Sequence, residues 1–190
     1  MGTTDTPSYR GYRLESTRLS HWDYAGNGYY FVTICTHQKR HLLGEVFDGR
    51  PRLSEAGSIV DEEWRRTAEV RPYVTLDQYA IMPNHVHGIL IIHGRHPKER
   101  HADVETSRRD VSTSVGPRLI PGSLGAIVGQ FKSIATKRIR NTADPSFGWQ
   151  PRFYDHIVRD EDELDRIRQY IVENPLKWDL DHETPQNLWM

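Results

Sequence analysis

Two spaced pairs of side chains in this 190-residue chain have the means to do chemistry: His85 with His87, and Tyr170 with Asn174. His85-Val86-His87 leads straight into the apolar run Gly88-Ile89-Leu90-Ile91-Ile92. Side chains alternate across a strand, so the two imidazoles project from one face and Val86 from the other. Side by side they can hold one cation. Burial and mutual repulsion both favour the neutral ring, which is the form that binds metal. Tyr170 and Asn174 are four residues apart on a helical pattern, hence neighbours on one face. The phenol offers an oxygen able to attack phosphorus, and the amide carbonyl is a neutral ligand that could complete a site begun by two histidines. Each pair also has an ordinary reading, histidines at a strand end and a packed tyrosine beside a helix cap, so neither decides the matter alone.

The elements that must position these groups follow from pattern. Thr75 to Met82 and His85 to Ile92 read as strands joined by Pro83-Asn84, a dipeptide suited to a tight reversal. Gly28 to Thr36 is rich in β-branched and aromatic residues and reads as the first strand. Ser54 can cap a helix to about Val70, with Ile59, Val60 and Trp64 at helical spacing. Ser123 begins a second helix through about Arg140, apolar at Leu124, Ile127, Val128, Phe131, Ile134, Ala135 and Ile139, with Lys132, Lys137, Arg138 and Arg140 on the outer side. Phe153 to Val158 reads as a fourth strand. Asp160 caps a last helix from Glu161 to about Glu173, which Asn174-Pro175 is expected to stop. Strand, helix, strand, strand, helix, strand and a further helix is the order of an α+β protein. The class is a ferredoxin-like split βαβ sandwich, an antiparallel sheet with helices on one face, plus an extra C-terminal helix carrying the tyrosine.

Composition narrows the setting. The length suits one domain, expected at 25–178, preceded by an irregular arm at 1–24 and followed by a tail at 179–190. No apolar run is long enough to cross a bilayer and the first residues lack the layout of a secretion signal, so a cytoplasmic protein with no membrane partner is expected. Cys35 is the single cysteine, which excludes an intrachain disulfide and an all-cysteine metal site. The formal net charge of −1 hides segregation. Basic residues gather at 10–18, 95–118 and 132–140, and acids at 61–63 and 160–165, so a nucleic-acid partner is not excluded. In the arm, Arg10, Arg13 and Arg18 interleave with Tyr9, Tyr12, Trp22 and Tyr24, a composition suited to phosphates and stacked bases of a single strand. The polar stretch 93–121 has no apolar period and reads as a mobile basic insertion.

Four blocks taken in order resemble one family. His85-Val86-His87, Gln130-Phe131-Lys132-Ser133, the run from Trp149 to Arg159, and Tyr170-Ile171-Val172-Glu173-Asn174-Pro175 are similar to the REP-associated tyrosine transposases of the HUH superfamily. The resemblance spans about Gly28 to Trp178. It implies a metal-dependent endonuclease and strand transferase acting on single-stranded, hairpin-forming DNA through a 5′-phosphotyrosine. His85 and His87 would bind a divalent ion, Asn174 would be a further ligand and Tyr170 the nucleophile. Imidazole and amide oxygen together suit Mg²⁺ or Mn²⁺.

Tyr154 is the rival nucleophile, lying among Arg152, His156 and Arg159. Tyr170 is preferred because Asn174 lies one turn away and because the family motif places the tyrosine before Asn-Pro. DNA contacts are expected from Arg10, Arg13, Arg18, Lys132, Arg138, Arg152, His156 and Arg159. The working unit is a monomer or a homodimer. The competing function class is a non-catalytic nucleic-acid-binding or repeat-binding regulator, since RNA-recognition domains use the same element order.

Overall fold

The computed structural model describes residues 19, 21–94 and 120–181. Arg10, Arg13, Arg18, nearly all of the 93–121 insertion and the tail beyond 181 lie outside the described residues. The elements run β1 (Gly28–Cys35), β2 (Gly44–Phe47), β3 (Arg50–Leu53), α1 (Glu55–Glu69), β4 (Val74–Met82), β5 (His85–Ile92), α2 (Leu124–Thr142), β6 (Tyr154–Val158) and α3 (Glu161–Asp181). Among the described residues, four strands form an antiparallel sheet in the order β4-β5-β1-β6. With the β2–β3 hairpin set aside, this is the expected ferredoxin-like topology. No described helix is long and apolar enough to cross a membrane.

The alternation of each strand sorts its residues between two cores. On one side Tyr30, Val32, Ile34, Val86 and Leu90 pack against Ile59, Val60 and Trp64 of α1 and Ile127, Val128 and Phe131 of α2. On the other side Phe31, Ile89 and Val158 meet Leu164, Ile167 and Ile171 of α3. The first sandwich is closed so tightly that a Cβ on Gly88 would lie 2.5 Å from a ring carbon of Trp64. Both serine caps form as expected, Ser54 Oγ accepting from Gly57 N at 3.1 Å and Ser123 Oγ from Ala126 N at 3.3 Å. Ile134, expected inward on α2, is exposed.

Two expectations are corrected. The last helix does not end at Asn174-Pro175 but continues through Pro175 to Asp181. A proline inside a helix removes one backbone hydrogen bond and costs about 3 kcal/mol. The turns around it offset that loss: Lys177 pairs with Glu173 at 3.0 Å, and Trp178 packs against His41 and His85. The hairpin β2–β3 is the other correction, since no strand was expected between residues 36 and 54. Its turn uses Asp48 and Gly49, both at positive φ (51° and 66°), and Gly49 sits beneath the Leu176 side chain of α3, which would have to shift to admit a Cβ there.

The segregated charges also find each other. Arg138 of α2 reaches Glu63 and Glu62 of α1, both at 2.6 Å, and Glu63 is buried. Part of the basic face expected on α2 is therefore spent on the α1–α2 contact.

Candidate active site

His85 and His87 lie on the α3 side of β5, and both are buried. The sheet register sets their neighbours. His87 stands between Ala80 on β4 and Thr33 on β1, and His85 between Met82 and Cys35. Their Nε2 atoms face each other 2.7 Å apart. Each Nδ1 has its own partner: Asn84 Oδ1 for His85 at 2.5 Å, and Thr33 Oγ1 for His87 at 2.9 Å. The Asn84 oxygen can only accept, so His85 carries its proton on Nδ1 and presents a bare lone pair at Nε2. The Thr33 hydroxyl can donate or accept, so His87 has two tautomers open to it. In one, His87 donates to His85; in the other, two lone pairs converge on one point, as metal-ligating imidazoles do when the second nitrogen is held by a hydrogen bond.

Electrostatics keep both rings neutral. Burial alone pushes His87 down to about 3. His85 is also pushed well down, first by burial and then by His87, Lys39 and His41 nearby.

The α3 helix brings the second pair to this point. Leu164, Ile167 and Ile171 anchor its inner stripe, and Tyr170 and Asn174 flank it at helical spacing. Tyr170 Oη lies 3.4 Å from His87 Nε2, and its ring stands edge-on to Phe31 with centroids 6.0 Å apart. Burial raises the phenol's pKa, and contact with the Asn174 side chain works the other way. Asn174 is buried and its Oδ1 has no hydrogen-bond partner among the described residues. A buried, unpaired carbonyl oxygen is costly unless something binds it.

A divalent cation fits this donor set. Two neutral imidazole nitrogens and an orphan amide oxygen are the mixed ligands that Mg²⁺ or Mn²⁺ accept. Among the described residues no three His, Cys, Asp or Glu side chains gather round a common point. Were the two imidazoles to hold an ion, a further protein ligand from the described residues would be a neutral oxygen, and Asn174 Oδ1 is a candidate.

Lys132 Nζ donates to the backbone carbonyls of Gln150 at 2.5 Å and Arg152 at 3.3 Å, holding the segment that leads into β6. His156 Nε2 is 2.8 Å from Glu163 Oε1, and Glu163 also accepts from Arg159 N at 2.8 Å. Those contacts tie β6 to the start of α3. Arg152 and Arg159 are exposed, and Tyr154 is about two-fifths exposed on the sheet face that bears the histidines. Trp22 and Tyr24 of the arm serve the fold: Trp22 Nε1 donates to Tyr30 Oη at 3.0 Å, and Tyr24 stacks on Tyr30.

Thr33, Asn84 and Trp178 were missed from sequence. Thr33 could have been found by pairing the first strand with the histidine strand, and Trp178 by extending the Tyr170, Asn174 stripe one more turn. Asn84 was seen only as a turn residue.

The helix is tied down beside the tyrosine by Arg168, whose Nη2 and Nε meet Asp77 Oδ2 on β4 at 2.7 Å and 3.1 Å. Burial works against the Asp77 charge, but the Arg168 guanidinium and the Gln78 N–H outweigh it and hold its pKa below the ordinary 3.8. A carboxylate depressed in the folded state stabilises above its unfolded pKa and loses that contribution as pH falls through its folded value. Asp77→Asn is expected to cost about 1 kcal/mol at neutral pH, discounted because Arg168 is about a third exposed. In urea titrations the difference from the parent chain should shrink and disappear as pH falls below the ordinary carboxylate range; a deficit that persisted in acid would mean lost packing instead.

No protein-family model matches the chain. An uncharacterized protein of Haemophilus influenzae is 32% identical over 166 residues, covering 87% of this chain and 90% of the relative. Among solved structures, a REP-associated tyrosine transposase bound to a REP hairpin superposes with a TM-score of 0.56 at 16% identity, over 86% of this chain and 74% of that one. The chain therefore belongs to the family of the Haemophilus influenzae protein, and its fold is that of the REP-associated tyrosine transposase.

Proposed function

We propose that this protein is a metal-dependent single-strand DNA endonuclease and strand transferase of the transposase type, acting beside hairpin-forming sequences. One observation carries the reading: a half-buried phenol lies 3.4 Å from one of two converging neutral imidazoles, next to an amide oxygen that has no hydrogen-bond partner among the described residues. The solved neighbour of the same fold is a transposase bound to a REP hairpin, which supports the choice of substrate.

His85, His87 and Asn174 would hold the divalent ion, which supplies charge neutralisation at the phosphate oxygens. The chain's own residues do the rest. Asn84 fixes the His85 proton on Nδ1, and Thr33 can fix that of His87 in the same way, so both Nε2 lone pairs stay available. Tyr170 gives up its proton to solvent, its oxygen bonds to phosphorus, and the P–O3′ bond breaks. The leaving 3′-oxygen takes up a proton, and the strand's 5′ end stays on the tyrosine as a phosphodiester. A 3′-hydroxyl from another strand can reverse these bond changes, so rejoining needs no nucleotide cofactor. Phe31, the sheet aromatic an RNA-recognition domain would leave open, is instead covered by α3, which weighs against the non-catalytic reading.

The test is a denaturing gel of protein incubated with end-labelled REP-type hairpins carrying single-stranded flanks. A covalent protein–DNA band is expected with Mg²⁺ or Mn²⁺. EDTA should reduce it by about a hundredfold or more, since a bound cation contributes several kcal/mol of charge stabilisation. No covalent band with any hairpin, or one indifferent to EDTA, would sink the proposal.

A further inference from the structure

Tyr154 is the rival tyrosine of the sequence and the mechanism leaves it unused. It occupies β6, which among the described residues is an edge strand paired with β1 alone. The register places Ala80, His87, Thr33 and Tyr154 in a single row across the four strands. With strands about 4.8 Å apart, Tyr154 stands roughly 10 Å from His87 along that row, on the same face. The catalytic groups thus continue sideways onto an aromatic ring.

The ring is not part of the core. It is 37% exposed and touches Phe31 edge-on with centroids 6.4 Å apart, which leaves ring surface open to solvent. Its hydroxyl makes no hydrogen bond among the described residues, whereas Tyr30 and Tyr79 both place theirs in hydrogen bonds. The strand beneath it is rigidly entered. Lys132 holds the carbonyls of Gln150 and Arg152, Gln150 N donates to Cys35 O at 2.9 Å, and Trp149 bridges to Thr36. Arg152, an exposed residue, precedes Tyr154 by two positions in the chain. A fixed, solvent-facing aromatic is what single-stranded nucleic acid uses for sequence-tolerant stacking; the charges acting on the Tyr154 hydroxyl are those of Asp155 and Glu163, so phosphate contacts come from elsewhere.

We propose that Tyr154 stacks on a base flanking the scissile phosphate and thereby selects which phosphate comes to rest over Tyr170. This rests on the nuclease reading above, so its test uses binding without cleavage. All proteins carry Tyr170→Phe, and the ligand is a hairpin oligonucleotide with a single-stranded flank bearing one 2-aminopurine, moved one position at a time. Stacking quenches that base. Quenching is expected at one flank position, and anisotropy should show affinity falling about tenfold to a hundredfold in Tyr154→Leu, with that quench lost and the thermal midpoint unchanged. Tyr154→Phe and Tyr154→Trp should restore both signals, which excludes a role for the hydroxyl, while the unchanged midpoint of Tyr154→Leu excludes a packing role. Unchanged binding and quenching in Tyr154→Leu would overturn the stacking role alone, as would a Tyr154→Phe variant no better than Tyr154→Leu. A protein with Tyr154 intact that bound none of these oligonucleotides would overturn the nuclease reading as well.

Discussion

Tyr170→Phe is expected to abolish the covalent protein–DNA adduct, lowering its rate by at least about four orders of magnitude, because removing the nucleophile leaves only whatever stabilisation the rest of the site provides. The substitution deletes one oxygen and little else. The phenyl ring keeps its contact with the His87 ring, at 5.3 Å between centroids, and its edge-on packing against Phe31. A normal thermal midpoint should therefore accompany the lost activity. Tyr154→Phe is the matched control and should leave adduct formation within a few-fold of the parent, since its ring surface is retained. The pair is read on one denaturing gel with the same labelled hairpin. The opposite pattern would move the nucleophile to β6 and leave Asn174 without a chemical role.

The largest expected effect on stability comes from Arg138, one of the residues proposed from sequence to touch DNA. Arg138→Ala is expected to destabilise by about 3 kcal/mol, because it strands the buried Glu63 carboxylate without its counter-charge. For a chain of this length that is a fall of roughly 6–12 °C in the thermal midpoint. Glu62 is well exposed, so Glu62→Gln should change stability by less than about 1 kcal/mol. The double variant Arg138→Ala with Glu63→Gln should recover part of the loss, since no uncompensated charge remains. A calorimetric scan of the four proteins settles it. If Arg138→Ala melted normally but lost affinity for DNA, the guanidinium would belong to the binding surface and not to the α1–α2 contact.

Local pattern carried much of the fold. β-Branched and aromatic enrichment located β1, two apolar runs about the Pro83-Asn84 reversal located β4 and β5, and serine caps marked the starts of α1 and α2. What escaped depended on distant contacts. Pro175 reads as a stop because its lost hydrogen bond is visible in sequence, whereas the docking of Trp178 and Leu176 that offsets it is not. The β2–β3 hairpin had a usable signal in Asp48-Gly49, but its strands are short and mostly exposed, with little apolar alternation. At the site, spacing alone could pair His85 with His87 and Tyr170 with Asn174. That the two pairs meet depends on α3 crossing the second face of the sheet, a tertiary fact. The same limit explains Lys132 and Arg138: a basic helix face looks alike in sequence whether it meets phosphates, carbonyls or a neighbouring helix's carboxylates.

The passage of α3 over its own sheet has a consequence for molecularity. Phenol, imidazoles and amide all come from one polypeptide, held at fixed separation by the same helix and strand. Under single-turnover conditions with saturating DNA, the specific rate of adduct formation should therefore stay flat on serial dilution of the protein. A site assembled from two chains would lose activity as the second power of concentration once its halves came apart.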